Sequence, residues 1–289
     1  MKQQTTRLLI NSLPKSGTHL LTKAVEILNY KPHFNFQDVD GKRVVPEHPR
    51  AFFYGDAKTI VERGIENDAP RDQQVGMGMT STYYVNQDTF SHWLTKVKAG
   101  HYIIGHMPWT ANIKPILNDS DFKIFMIIRD PRAVIASLIP FILNARVTHH
   151  LLEKDFEPLT PMQRLNLLLE GGYAEQAGVQ IEDYATIYRE AWAWNQQDNC
   201  LFMKFEDLVG VQGGGDSDSQ QQIMNSIAQH LDIEVTDEIA DKFSAVYDVN
   251  SPTFRKGQID GWKTRLDEEC IERLDDYCKP LCELAGYAQ

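Results

Sequence analysis

Cations are in short supply in this chain. Its 289 residues hold 29 Lys and Arg against 40 Asp and Glu, a formal charge of −11 at pH 7. Broad binding to DNA, RNA or anionic lipid needs a basic face, so nucleic acid is not an expected partner. A local basic pocket remains compatible with that balance. Cysteine is also sparse: Cys200, Cys270, Cys278 and Cys282 are too few for a disulfide scaffold. Cys278 and Cys282 can share a helix face, but no histidine stands nearby at ligand spacing. The four read as buried reduced thiols, and no metal site is expected. Long apolar runs are missing. A spanning helix takes about 20 apolar residues, and the longest run, Ala133–Leu143, is about half that and contains Pro140. The apolar stretch near the N-terminus is too short for a secretory leader. These absences read as a cytoplasmic protein that does not span a membrane. The remaining composition is ordinary for a globular chain, 42% hydrophobic and 24% charged. No repeat or domain boundary appears, so residues 1–289 read as one domain.

The chain alternates apolar strands with helical patterns. RLLINS (Arg7–Ser12) is a short apolar run, LPKSGT a turn, and Leu20, Leu21, Ala24, Val25 and Leu28 recur at helical spacing. YIIG (Tyr102–Gly105), FKIFMII (Phe122–Ile128) and CLFMKF, ending at Phe205, read as further buried strands. Helical patterns cover roughly 161–177, 181–197, 219–231, 236–247 and 267–285. This predicts an α/β fold, three-layer α/β/α with a central, mostly parallel sheet. Residues 31–100 are irregular and rich in aromatics, and are expected to form short elements and a lid or pocket wall. Gln212–Gln222 (QGGGDSDSQQQ) reads as a surface loop.

Three segments suit anions. PKSGTHL lies between strand and helix, where Gly17 permits close backbone approach. The amides of Ser16, Gly17, Thr18 and His19 can converge on phosphate at a helix N-terminus, with Lys15 adding a cation. This is not GxxxxGK[ST], because the lysine precedes the glycine. A tight turn with a solvated lysine is the alternative. Arg129 ends a buried strand and points to the crevice beyond the carboxyl edge of the sheet. Ser137 follows eight residues later, about two helical turns on. An arginine fork with a hydroxyl suits a second phosphate. A local Arg129–Asp130 ion pair is the alternative there. The third segment, FRKGQIDGWK (Phe254–Lys263), can fold over an anion or form a basic surface turn.

Together these segments resemble the sulfotransferases that use 3′-phosphoadenosine 5′-phosphosulfate (PAPS). Pro14–Thr18 match the family's PKSGT loop for the 5′-phosphosulfate. Arg129 and Ser137 match its 3′-phosphate pair. Arg255, Lys256 and Gly257, with Trp262 and Lys263, match its closing RKG loop and WK pair. LFMKFEDL (Leu201–Leu208) echoes its strand and Tyr-Glu-Asp turn, with Phe205 in the tyrosine's place, and Trp192 and Trp194 echo upstream tryptophans. The resemblance implies a P-loop NTPase-like sulfotransferase fold, PAPS as donor, adenosine 3′,5′-bisphosphate (PAP) as product, and no metal. The departures are Leu20, where the family's adenine-stacking tryptophan stands, Asp260 and Gly261 in exchanged order, and Asp267–Glu268 in place of the Thr-Val of the usual dimer motif.

Sulfuryl transfer requires an acceptor to lose a proton, in-line geometry, and stabilisation of the leaving oxygen. His106, at the end of HYIIGH and before Met107–Pro108, resembles the family's general base. His101 begins the same strand and is the weaker rival. Lys15 is expected to stabilise the leaving oxygen. By resemblance, Ser137 holds Lys15 away until acceptor arrives. Phe52, Phe53, Tyr54, Tyr83, Tyr84, Trp93, Trp109 and Phe141 can wall an acceptor pocket for a small alcohol, phenol or lipid. A P-loop kinase or other nucleotide phosphotransferase, with Asp130 as magnesium ligand, and a non-catalytic nucleotide-binding protein are the competing readings. If Lys15, Arg129, Arg255, Lys256 and Lys263 serve the donor, the remaining surface is still more acidic than the total charge suggests. A neutral or cationic acceptor fits that distribution better than a polyanion.

Overall fold

The computed structural model describes residues 5–33, 47–144, 150–247 and 257–287. Its centre is a five-stranded sheet in the order β2-β5-β1-β6-β9. The strands are β1 (Arg7–Ser12), β2 (Lys31–Pro32), β5 (His101–Gly105), β6 (Phe122–Ile128) and β9 (Cys200–Lys204), all paired in parallel. Two antiparallel hairpins lie outside it: β3 (Gln74–Met77) with β4 (Tyr83–Asn86), and β7 (Gly172–Ala174) with β8 (Val179–Ile181).

Period-two alternation divides the sheet between two cores. Leu8, Ile10, Phe125 and Ile127 face one apolar cluster with α1 (Thr18–Ile27) and the helix Ser217–His230. Leu9, Ile124, Met126 and Ile128 face the other. That second cluster is covered by α5 (Pro131–Ile142) and by the helices Pro161–Glu170, Tyr184–Trp192 and Glu268–Ala285. Both faces of the sheet are therefore covered, which is why β1 and β6 read as continuous apolar runs. The α/β/α layering follows the sequence expectation.

Residues 31–100 contain more regular structure than their composition suggests. They hold α2 (Tyr54–Val61), the β3–β4 hairpin and α3 (Gln87–Lys96), and the short α4 (Ile113–Asn118) follows β5. The helix expected over 161–177 stops at Glu170. Gly171 and Gly172 take φ of 75° and 148°, and the chain turns into β7. A Cβ on Gly171 would lie 2.6 Å from the Ile181 carbonyl oxygen, so this exit is built for glycine. The supposed surface loop at 212–222 is also more ordered. A short turn covers Val211–Gly213, and a helix starts at Ser217 because the Asp216 carboxylate accepts from the Ser219 amide at 2.7 Å. All four cysteines are free thiols; Cys270, Cys278 and Cys282 are buried. No helix among the described residues is long and apolar enough to cross a membrane.

Candidate active site

Parallel register brings four strand ends together. Asn11 of β1 pairs with Gly105 and Met126, Ser12 pairs with Ile127, and Ile128 pairs with Lys204. The residues that leave the sheet at this edge (Leu13, His106, Arg129 and Phe205) thus emerge side by side, within about 14 Å at the usual strand spacing. His101 lies at the opposite end of β5.

The β1–α1 loop lies at this edge. Lys15 and Gly17 have φ of 69° and 109°. The Ser16 side chain is fully buried, its hydroxyl 2.7 Å from the Leu13 carbonyl oxygen and 2.9 Å from that of Ile127. The Ser16 amide donates back to Leu13 at 3.2 Å. Ser16 therefore fixes the loop rather than presenting a donor outward. A Cβ on Gly17 would stand 2.8 Å from the Phe205 ring. No side chain caps α1, leaving its first-turn amides, including those of Thr18 and His19, outside the helical ladder. That is the geometry of an anion cradle. His19 is exposed and Leu20 packs on the core.

His106 sits beside this loop. Its backbone N–H donates to Phe52 at 3.1 Å, and its ring stacks on Phe53 with centroids 4.3 Å apart. Nδ1 is 2.7 Å from the Ser12 carbonyl oxygen. A carbonyl cannot donate, so Nδ1 carries the proton, and in the neutral ring Nε2 keeps its lone pair. Burial, reinforced by the charges of His19 and Lys15, pushes this imidazole down to about 4. The ring is therefore a neutral acceptor at physiological pH. The Ser12 hydroxyl lies 3.2 Å from the same Nδ1 and 2.7 Å from the Thr18 hydroxyl, joining the cradle to the histidine. The Lys15 ammonium lies over the Phe141 ring at 4.1 Å. Phe141 is one turn beyond Ser137 on α5, so Ser137 shares a helix face with the ring that Lys15 covers.

Arg129 is buried at 5% exposure. Its guanidinium covers the Phe205 ring at 4.0 Å, and Nη2 donates to the Gln258 carbonyl at 2.8 Å. Nε is buried without a partner among the described residues. A buried cation with an unused donor beside an uncapped helix fits a phosphorylated ligand. The alternative ion pair does not form. Asp130 instead grips Arg132 through both oxygens, at 3.0 and 2.8 Å, and caps α5 through the Arg132 amide. That engagement also removes the residue the kinase reading wanted for magnesium. Phe205 sits between Gly17 and Arg129, supporting both.

Of the third segment, Arg255 and Lys256 lie outside the described residues. Gly257 follows with φ 45°, and its carbonyl would be 2.8 Å from a Cβ on Gly213. Ile259 donates to the Gly213 carbonyl at 2.9 Å. The glycine-rich loop is thus the seat of this segment. Trp262 is buried beneath Arg132, and Lys263 pairs with Asp260 at 3.2 Å on the surface. Sequence reasoning missed Gln258 and Arg265; the charge of Arg265 lies close enough to help hold the Arg129 guanidinium below its usual range, after burial. Among the aromatics, Phe53 and Phe141 reach His106 and Lys15, while Phe52 and Trp93 are core.

The profile described as "Sulfotransferase domain" matches residues 5–286. No curated protein matches the sequence. Among solved structures, mouse sulfotransferase SULT7A1 complexed with PAP superposes with a TM-score of 0.55 at 16% identity, over 96% of this chain and 84% of that one. Retinol dehydratase in complex with androsterone and inactive cofactor PAP gives 0.52 at 14%, over 98% and 82%. The same enzyme with retinol and PAP gives 0.53 at 15%, over 98% and 83%.

Proposed function

The chain belongs to the sulfotransferase domain family, and from that premise we propose that it moves a sulfuryl group from PAPS to a hydroxyl or amine of a small, neutral or partly apolar acceptor. The observation that carries this reading is the neutral His106 beside the uncapped β1–α1 loop, with Nδ1 committed to Ser12 and Nε2 available. PAPS supplies a sulfur already bonded to a good phosphate leaving group. The amides of Gly17, Thr18 and His19 and the Lys15 ammonium hold its 5′ end, and Arg129, Ser137 and the Arg255–Gly257 segment hold the 3′-phosphate. His106 Nε2 takes the acceptor proton as the acceptor oxygen or nitrogen bonds to sulfur. The S–O bond to phosphate breaks, its electron pair stays on the leaving oxygen, and Lys15 offsets that charge.

Phe53 beside His106 and Phe141 beneath Lys15 give the reacting groups apolar surroundings. That favours an alcohol, phenol or lipid over a polyanion. Retinol dehydratase, with its bound retinol or androsterone, lends the same direction. The test is transfer of labelled sulfate from PAPS to a panel of such acceptors. Labelled product with formation of one PAP per sulfate transferred supports the reading; PAP binding with no transfer to any acceptor class favours the non-catalytic alternative. Arg129→Ala should weaken PAP roughly 10- to 100-fold by calorimetry, the size of one charge-assisted hydrogen bond. Unchanged affinity would remove Arg129 from the donor site.

A further inference from the structure

The ladder between β1 and β5 ends at the pair Asn11↔Gly105. The next two residues of β5's chain, His106 and Met107, have left the sheet, yet they are not loosely held. Asn11 is fully buried, and its side-chain amide pairs with the Met107 peptide in both directions: Nδ2 donates to the Met107 carbonyl at 2.9 Å, and Oδ1 accepts from the Met107 N–H at 2.8 Å. The side chain supplies the rung that the backbone no longer provides. Trp194, also fully buried, donates Nε1–H to the same Met107 carbonyl at 3.0 Å. Gly105 leaves space for this clamp, because a Cβ there would come within 3.4 Å of Asn11 Oδ1 and 3.3 Å of Met107 Cγ.

We infer that Asn11, assisted by Trp194, is a positioning residue for the sulfuryl-transfer base. It acts through the Met107 peptide to hold His106 with Nδ1 on the Ser12 carbonyl and Nε2 towards the acceptor. The His106 backbone is fixed on its N-terminal side by Phe52. The Met107 backbone is the other main-chain anchor, so freeing it lets the His106 Cα shift while the ring keeps only the Phe53 stack and its bond to the Ser12 carbonyl. A displacement of about 1 Å at a reacting group can cost on the order of 100-fold in rate without touching ligand contacts. The clamp's hydrogen bonds run among Asn11, Met107 and Trp194 and not to Arg129 or Lys15–Gly17, so donor affinity is expected to survive its loss.

This rests on His106 being the base, and the test separates the two. Asn11→Asp keeps the shape but sets a carboxylate oxygen against the Met107 carbonyl. The expected result at neutral pH is a fall in kcat of about 30- to 100-fold, with PAP affinity unchanged. The nitrogen NMR signals of His106 should move from the single Nδ1–H tautomer to a mixture. Trp194→Phe, which removes one of the two donors to Met107, should act the same way with a smaller loss and covers the case in which Asn11→Asp does not fold. Normal kcat and an unaltered His106 tautomer in a folded variant, alongside an inactive His106→Ala, overturn the positioning role and leave the base standing. An active His106→Ala overturns the base and this inference with it. Weakened PAP binding in proportion to lost turnover indicates a general structural role and also overturns it.

Discussion

His106→Ala should lower turnover by about 10²- to 10⁴-fold, the usual contribution of a general base, while PAP binds as tightly as to the wild type. The split follows from geometry. His106 contacts Ser12 and Phe53, whereas the groups suited to phosphate are the α1 amides and Arg129. Steady-state turnover and PAP calorimetry on one preparation measure both. Near-normal turnover would end the base assignment. The same histidine sets a pH dependence. Its nitrogen must be unprotonated to act, and its folded value is about 4, so wild-type turnover should climb through that region and be level by neutrality. Stability has the same sense. The unfolded ring titrates near 6.5 and the folded ring lower. Its contribution is therefore complete above 6.5 and lost as pH falls from 6.5 through 4. His33 and His150, each lowered to about 4 mainly by burial, add in the same direction. His106→Ala should shallow the acid loss of stability without abolishing it.

Much of this site was legible because it obeys local rules. β1 and β6 are buried on both faces, so they read as unbroken apolar runs. The loop after β1 announces itself through Lys15–Gly17, and Arg129 follows β6 directly. What was not legible depends on pairing between distant positions. Asn11 and Met107 are separated by 96 residues, and Arg129 meets Gln258 across 129. No periodicity in either segment signals those contacts. Asp130 illustrates the same limit at short range. Its neighbours offered two arginines, and the helix geometry chose Arg132, because the N-cap carboxylate already faces that residue's amide. The β7–β8 hairpin was hidden by leucines that continue the helical pattern up to Glu170. Only the paired Gly171 and Gly172, in conformations that disfavour other residues, mark the stop.

Lys15→Met should reduce kcat by about 10²- to 10³-fold, equivalent to the 3–4 kcal/mol lost when a single donor to a developing oxyanion is removed. Methionine keeps the unbranched length and an apolar body that can still lie on Phe141, so the substitution isolates the charge from the packing. The backbone supports this choice. Lys15 occupies the left-handed region at φ 69°, uncommon for a residue with a side chain, and the flanking contacts of Ser16 and the φ of Gly17 hold it there. Such strain is retained when the position of the side chain is worth more than the cost. A second readout follows from electrostatics. Lys15 is one of the charges lowering His106, so removing it should move the acid limb of the turnover profile to higher pH. A reduced kcat with that shift identifies Lys15 as a cation acting at the reacting centre beside His106. Normal kcat would assign Lys15 to the loop's conformation alone. Lost turnover with an unmoved limb would place the ammonium too far from His106 for one proton transfer and one leaving oxygen to share the same site.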